Sequence, residues 1–395
     1  MSMPAPALPH PRSQGRCTLR PRRARVAGFV GLACVLQVAW PALAAPGACG
    51  VELRALGSAS VPAGTRVGGE LFGGISGIDY DAARRRWYLV TDDRAVDRPP
   101  RFFVAELALD RLGLRRARWR ESRRLAVAGP AGPGRVLDAE SLRLDPQRRE
   151  LLVASEGDEA SNAGPAIQRH ALDGRQLGTV SLPSSLLAGS GSGPLSNRSI
   201  EGLALDPHSR VLWIALEAPL LQDGRPPVPG AGAALRLTRL DLQTGGHSQY
   251  VYLADPAPGH APGESSDNGI SEILGGLDAG QLLVLERSGI RDAAGGFRFR
   301  SRLYCAELDG ATDVASIVAL PGQPWSPVRK TLLLDLEGLA APEAANFEAM
   351  SWGPPFAAGR RSLVLASDNN FLEGIATTLL VLEAEQPASR RAPAP

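Results

Sequence analysis

Five segments of this chain repeat one pattern, and that repetition limits the fold more than any other feature of the sequence. They are Ile75–Asp81, Ala139–Pro146, Ile200–Pro207, Ile270–Ile273 and Phe347–Pro354. Each reads as a short strand running into a turn. Behind each turn comes a second apolar strand ending in an acid: Trp87–Asp92, Leu151–Glu156, Val211–Glu217, Leu282–Glu286 and Ser362–Asp368. With Ser76, Glu140, Glu201, Ser271 and Glu348 taken as equivalent, the hairpins recur at intervals of 64, 61, 70 and 77 residues. A strand-built repeat of that period predicts an all-β protein, a β-propeller with long inter-strand loops.

Composition agrees. The 395 residues include 44 Gly and 33 Pro, a density that breaks long helices and suits many short strands joined by turns. The inner strands, such as Val211–Leu216, are apolar on both faces, as expected where a blade is sandwiched between two neighbours. Phe102–Leu109, Leu235–Leu242 and Arg302–Leu308 supply further strands. The segments Val51–Val61 and Thr377–Glu383 belong to no hairpin, so they are expected side by side in the last blade, closing the ring and removing two sheet edges. Five hairpins mean five visible blades, with room for a sixth, degenerate one between Arg291 and Ala345.

The start of the chain reads as an address. Six arginines within residues 1–25, the apolar run Val26–Trp40 and the small-residue sequence Ala42-Leu43-Ala44 form a secretory signal peptide, residues 1–44, cut after Ala44. A twin-arginine route at Arg22-Arg23 and a lipoprotein site at Cys34 fit less well. Nothing later approaches 18 consecutive apolar residues, so no integral membrane segment is expected after cleavage, and the protein is placed in the periplasm or medium. Residues 45–385 form one propeller domain, and residues 386–395 a disordered tail. Without the six leader arginines the formal charge of +2 becomes −4, which argues against a nucleic-acid partner. Cleavage also leaves Cys49 and Cys305 as the only thiols, and a disulfide between them is expected in an oxidising compartment. Two separate buried thiols are the alternative.

The segments NRSIEGLALDP with LWIALE, NGISEI with LLVLERSG, and NFEAMSWGP with LVLASDNNF resemble the phytase-like propeller family, described as having esterase-like activity. The resemblance runs from about Val51 to Glu383. Members are similar in a general way to the calcium-dependent propeller phytases, which hydrolyse phosphate monoesters with metal ions held by acidic residues. The resemblance therefore implies phosphoester or ester hydrolysis of a small-molecule substrate.

The residues themselves point to a site. In a hairpin the first residue of one strand and the last of the next lie at the same end, so Glu140 pairs with Glu156, Glu201 with Glu217 and Ser76 with Asp92, each 16 residues apart. If the hairpins surround an axis, these acids, with Glu286, Glu348 and Asp368, converge on one mouth of the channel. Two carboxylates about 5 Å apart repel by roughly 3 kcal/mol at an effective dielectric near 20, so the cluster needs cations or protons. Oxygen ligands suit a hard ion, Ca²⁺ before Mg²⁺. The amides of Asn268, Asn346, Asn369 and Asn370 would add ligand oxygens. Neutralisation by Arg94, Arg198 and Arg287 as ion pairs stands as the other reading. With metal bound, Arg198 and Arg287 become clamps for a substrate phosphate.

Other schemes find little support. No G-x-S-x-G elbow is present, and Gly189–Gly193 reads as a flexible loop. His170, His208, His247 and His260 read as solvent-exposed loop positions, and a zinc site would need paired His or Cys. The expectation is thus an exported, metal-dependent ester hydrolase, foremost a phosphatase. Glu201 and Glu348 are expected to be catalytic, Arg198 and Arg287 to bind substrate, and Glu140, Glu156, Glu217, Glu286, Asp92, Asp368 and Asn369 to ligate Ca²⁺. A non-catalytic binding propeller and a lactonase-like carboxylic ester hydrolase are the alternatives.

Overall fold

A computed structural model describes residues 49–93, 98–127, 137–157, 164–276, 278–339, 345–357 and 359–385. The expected signal peptide and tail, and Arg94, lie outside the described residues. The chain enters through β1 (Glu52–Val61) and a small ribbon of β2 (Arg66–Val67) and β3 (Glu70–Leu71). Four blades follow in chain order. Blade 1 is β4 (Ile75–Asp81), β5 (Arg86–Thr91), β6 (Arg101–Asp110) and β7 (Gly113–Arg124). Blade 2 is β8 (Ala139–Asp145), β9 (Glu150–Ser155), β10 (Ala166–Ala171) and β11 (Gln176–Val180). Blade 3 is β12 (Ile200–Leu205), β13 (Val211–Leu216), β14 (Ala233–Asp241) and β15 (His247–Ala254). Blade 4 is β16 (Ser265–Leu274), β17 (Gln281–Arg291), β18 (Phe297–Glu307) and β19 (Arg329–Asp335). Blade 5 contains β20 (Asn346–Ala357), β21 (Arg360–Asp368) and β22 (Thr377–Glu385), and β1 completes it by pairing antiparallel with β22 from Glu52↔Glu385 to Val61↔Thr377.

The blade count is therefore five. The stretch between Arg291 and Ala345, where a sixth blade had room, instead supplies the outer strands β18 and β19 of blade 4. The innermost strands β4, β8, β12, β16 and β20 each touch the next, and β20 returns to β4. The two-faced apolar strands are explained by this ring. In β9, Leu151 and Val153 pack with Val90 and Phe102 of blade 1, whereas Leu152 and Ala154 pack with Ile214 and Leu216 of blade 3. In β17, Leu282 and Val284 join Leu237 and Tyr252 of blade 3, and Leu283 and Leu285 join Met350 and Leu363 of blade 5. Cys49 and Cys305 form the expected disulfide, with Cα atoms 6.2 Å apart, tying the chain just ahead of β1 to β18 in blade 4. No helix among the described residues is long and apolar enough to cross a membrane.

Candidate functional site

Every innermost hairpin breaks its register at the same place. The pairing shifts between Ile75 and Gly77, Ala139 and Ser141, Ile200 and Gly202, Ile270 and Glu272, and Phe347 and Ala349. The residues left over are Ser76, Glu140, Glu201, Ser271 and Glu348, the five taken as equivalent in the sequence. A β-bulge leaves one residue outside the ladder and re-aims its side chain. At the two short positions the hydroxyl ties one blade to the next: Ser76 Oγ donates to the carbonyl of Ala139, and Ser271 Oγ donates to that of Phe347 at 3.2 Å. At the other three positions a glutamate is presented instead.

The second strands contribute through the residue after the last paired one. Thr91, Ser155 and Leu216 lie opposite Ile75, Ala139 and Ile200, so Asp92, Glu156 and Glu217 follow at the mouth. In blade 4 the residue opposite Ile270 is Glu286, and the mouth position falls to Arg287. That offset of one residue puts Glu286 on the other face of the strand. There it accepts hydrogen bonds from Tyr252 Oη at 2.7 Å, Asn268 Nδ2 at 2.8 Å and the amide of Asp255 at 3.2 Å, and pairs with Lys330. Glu286 thus sits among four donors between blades 3 and 4, away from the acids it was grouped with. Asn268 belongs to that network too.

Around the axis the structure gathers Asp92, Asp138, Glu140, Glu156, Glu201, Glu217, Glu348 and Asp368, all buried except the partly exposed Asp92. Asp138, just before β8, is an addition that the sequence reading missed. Carboxylate oxygens of Asp92, Asp138 and Glu140 lie within 4.8 Å of one another, as do those of Glu140, Glu156 and Glu201. Burial, and then the charges of Asp92, Glu201, Asp138 and Glu156, push the Glu140 carboxyl well above its ordinary range. Burial with Glu156, Glu217 and Glu348 does the same to Glu201, and burial with Glu348 to Asp368. Glu217 is raised by burial, a rise moderated by Arg287 and Arg198.

Arg287 is the cation within this group. Its Nη2 meets Glu217 Oε1 at 3.0 Å, and its Nη1 lies 3.6 Å from Glu348 Oε1. Burial alone would weaken its hold on the proton, but the surrounding carboxylates of Glu348, Glu217 and Glu201 outweigh it and raise the guanidinium above its ordinary value. Gly269 lets Glu217 approach, since a Cβ there would stand 2.6 Å from the Glu217 carbonyl oxygen. Arg198 lies at the rim, about one-third exposed, with its Nη2 3.2 Å from Asp267 Oδ2. Asn346 donates to Glu348 Oε1 at 2.7 Å. Asn369 uses its Oδ1 on the amides of Gly74 and Phe371, so it holds a turn beside the mouth, and the exposed Asn370 donates its amide to Asp368. Of the histidines, His208, His247 and His260 are exposed as expected. His170 is instead fully buried in β10, bonded to Gly174 O and Gln168 Oε1.

Deeper along the axis the channel is filled. Glu272 follows the bulge residue of β16, where the other blades carry Gly77, Ser141, Gly202 and Ala349. Its Oε2 lies 2.8 Å from Arg143 Nη2 of β8. The same guanidinium donates to the carbonyls of Ile78, Leu203 and Ile273, so one side chain ties blades 1, 2, 3 and 4. Glu272 also accepts from Ser141 Oγ and from the amides of Leu203 and Ile273. Neither residue exposes more than 2% of its side chain. The mouth is therefore a cup with a sealed floor.

A sequence profile for the phytase-like family, described as "esterase-like activity of phytase", matches residues 70–371. The chain belongs to the phytase-like family. This places it among hydrolase-type propellers, and its acidic groups are of a kind that could hold a metal. No curated protein matches the chain. Among solved structures, this phytase-like propeller is similar to an exo-beta-1,3-galactanase of Phanerochaete chrysosporium solved with galactose, at 11% identity and a TM-score of 0.41, covering 81% of this chain and 64% of that one. It is also similar to a member of the DUF4221 family from Bacteroides vulgatus, at 10% identity and a TM-score of 0.36, covering 85% and 99%. The phytase-like chain thus spans less than two-thirds of the galactanase's length.

Proposed function

We propose that this phytase-like protein is an exported hydrolase of phosphoric monoesters, with Ca²⁺ held by the carboxylates at the mouth. The observation that carries the reading is the gathering of eight buried or half-buried carboxylates around one guanidinium. The donor set fits the ion: two oxygens on one Ca²⁺ stand at most about 5 Å apart, and both three-carboxylate groups meet that limit. Asp92, Asp138, Glu140, Glu156 and Glu201 would hold it, with Glu140 common to both groups. An ion held by these residues would supply Lewis acidity to a phosphoryl oxygen and would lower the pKa of a water. Glu201, whose carboxyl burial and the neighbouring Glu156, Glu217 and Glu348 make more basic, would take the proton from the attacking water. Glu348 borders the Arg287 side of the cup and is the candidate partner for the leaving oxygen. Arg198, open at the rim, is the cation an incoming phosphate meets first, whereas Arg287 is engaged by Glu217 and Glu348 and orients them.

Export rests on the basic, apolar and small-residue order of residues 1–44, and the disulfide fits an oxidising compartment. The test is release of phosphate from phytate and from 4-nitrophenyl phosphate by mature protein with Ca²⁺, beside hydrolysis of simple lactones. Glu201→Gln and Glu348→Gln should each lower turnover by about 100-fold or more. Wild-type turnover in both variants would place the chemistry elsewhere. Lactone hydrolysis without phosphate release would favour the carboxylic-ester reading, and no turnover at all a binding propeller.

A further inference from the structure

The innermost hairpin of blade 5 runs farther past its bulge than its counterparts. β20 ends nine residues after Glu348, whereas β4 and β8 end five residues after Ser76 and Glu140, β12 four after Glu201 and β16 three after Ser271. The extra length carries Trp352, Pro355 and Phe356 beyond the neighbouring turns, with two further breaks in register around Pro355. Beneath this overhang lies a cavity of about 570 Å³, walled by Trp352, Phe356, Val51, Ala384 and the guanidinium of Arg361. It opens at the turn end of the hairpin. The mouth residue Asp368 ends the same strand, eight residue steps away, which at ~3.3 Å per step is roughly 26 Å. The mouth's negative charge is screened over such a span, since the Debye length is about 8 Å at physiological ionic strength.

Arg361 makes contacts within the fold and keeps donors beyond them. Its guanidinium stacks 4.3 Å from the centre of the Trp352 ring, and one of its five N–H donors reaches the Gly276 carbonyl at 2.8 Å. Gly276, at φ +86°, gives both side chains room, as a Cβ there would stand 3.2 Å from the indole nitrogen. Its neighbour Arg360 is matched by Glu385 at 3.1 Å, but no carboxylate among the described residues pairs with Arg361. A half-buried cation on an aromatic plane, beside apolar walls and with donors to spare, selects an anion that also carries an apolar surface. We propose that this cavity binds a small amphipathic anion, a carboxylate, sulfonate or phosphate carried on a flat apolar body, with Arg361 gripping the head group and Trp352 and Phe356 covering the body. The site is separate from the mouth and does not depend on the chemistry proposed there.

The probe is anilinonaphthalene sulfonate, titrated into mature protein and followed by its own fluorescence, beside the uncharged phenyl naphthylamine. One saturable site is expected, with the sulfonate bound at least about tenfold more tightly than the neutral compound. Arg361→Gln should weaken sulfonate binding about tenfold or more while leaving the neutral compound unaffected, and Arg361→Lys should retain most of the difference. Equal binding of the two probes by the wild type, unchanged sulfonate binding by Arg361→Gln, or no saturable site would overturn the proposal. So would sulfonate binding seen only in a chain ending at Glu385, because the cavity would then be filled by the protein's own last ten residues. The two-probe comparison needs only the wild-type protein, so it decides even if a variant fails to fold.

Discussion

Protons and divalent cations should compete for the mouth, and a melting experiment can read that competition. In the metal-free protein Glu140, Glu201 and Asp368 hold their protons well above the ordinary carboxylate range, and Glu217 is raised as well. A folded-state pKa above the unfolded value means that the folded chain binds the proton more tightly. These groups therefore cost nothing below about pH 4 and destabilise the fold progressively as the pH climbs toward their raised values. Carboxylate oxygens no more than 4.8 Å apart repel by about 3.5 kcal/mol or more per ionised pair at an effective dielectric near 20. Calcium at 100-fold its dissociation constant would return about 2.7 kcal/mol per site. The 334 residues from Glu52 to Glu385 imply an unfolding entropy of about 0.7 kcal/mol/K, so each occupied site should add about 4 °C. The assay is the melting temperature at intervals from about pH 5 to about pH 8, with excess chelator or excess Ca²⁺. Glu272, pushed up to about 8 by burial, titrates in the same window, but it lies outside the acids proposed to hold the ion, so it affects both melting curves alike and the difference between chelator and Ca²⁺ reads the mouth. Asp241, held at about 2 by the Thr244 amide and Arg210, stays ionised throughout. Melting with chelator should fall as the pH rises, and the gain from Ca²⁺ should be largest near pH 8 and fade near pH 5. A gain that is absent at every pH, or equal at both ends, would refute the argument.

Two substitutions test the placement of the other charges. Arg143→Met should destabilise the protein by about 3–5 kcal/mol, lowering the melting temperature by roughly 4–7 °C, because it strands the buried Glu272 and three carbonyls. Joining it with Glu272→Met should recover much of that loss, and a single variant melting like the wild type would show that the axis is not held in this way. Glu286→Gln should lower the melting temperature yet leave the Ca²⁺ gain intact, while Glu140→Gln should abolish the gain. A Ca²⁺ response lost in Glu286→Gln would mean that the register of blade 4 has been misread.

The propeller was legible because a blade repeats, and repetition exposes itself in one sequence. The five hairpins, the pairing of the terminal strands and the disulfide all follow from spacing, turn residues and cysteine number. Most of the mouth was legible for the same reason. Blade 4 escaped because its acid, Glu286, stands one residue early, and in a strand one residue reverses the face. The 16-residue interval that links Glu140 to Glu156 and Glu201 to Glu217 would have led from Ser271 to Arg287. Arg143 and Glu272 left a fainter mark, a single glutamate where the equivalent positions are glycine, serine or alanine. Their contact spans 129 residues and two different blades, so no local pattern announces it. His170 misled for a related reason: its burial depends on Gln168 and the turn at Gly174, which pair with it only once β10 and β11 have formed.

Mouth and floor together explain how the fold tolerates so much like charge. A cluster of carboxylates drives its strands apart, and if it were also the joint between blades, losing its cation would open the ring. In this chain the joint lies elsewhere. The blades meet through two-sided apolar strands, the ring is closed by the β1 and β22 pairing and by Cys49–Cys305, and the axis is pinned by Arg143 and Glu272 below the acids. The bulges then let Glu140, Glu201 and Glu348 leave the ladder without disturbing it. Electrostatic strain is thereby confined to side chains above a rigid floor, where a cation or a proton can relieve it without rearranging the backbone. Arg287 supplies one fixed positive charge in that space, enough to orient Glu217 and Glu348 and too little to neutralise eight acids. The remaining negative charge is what would give the cup the affinity for a cation proposed above.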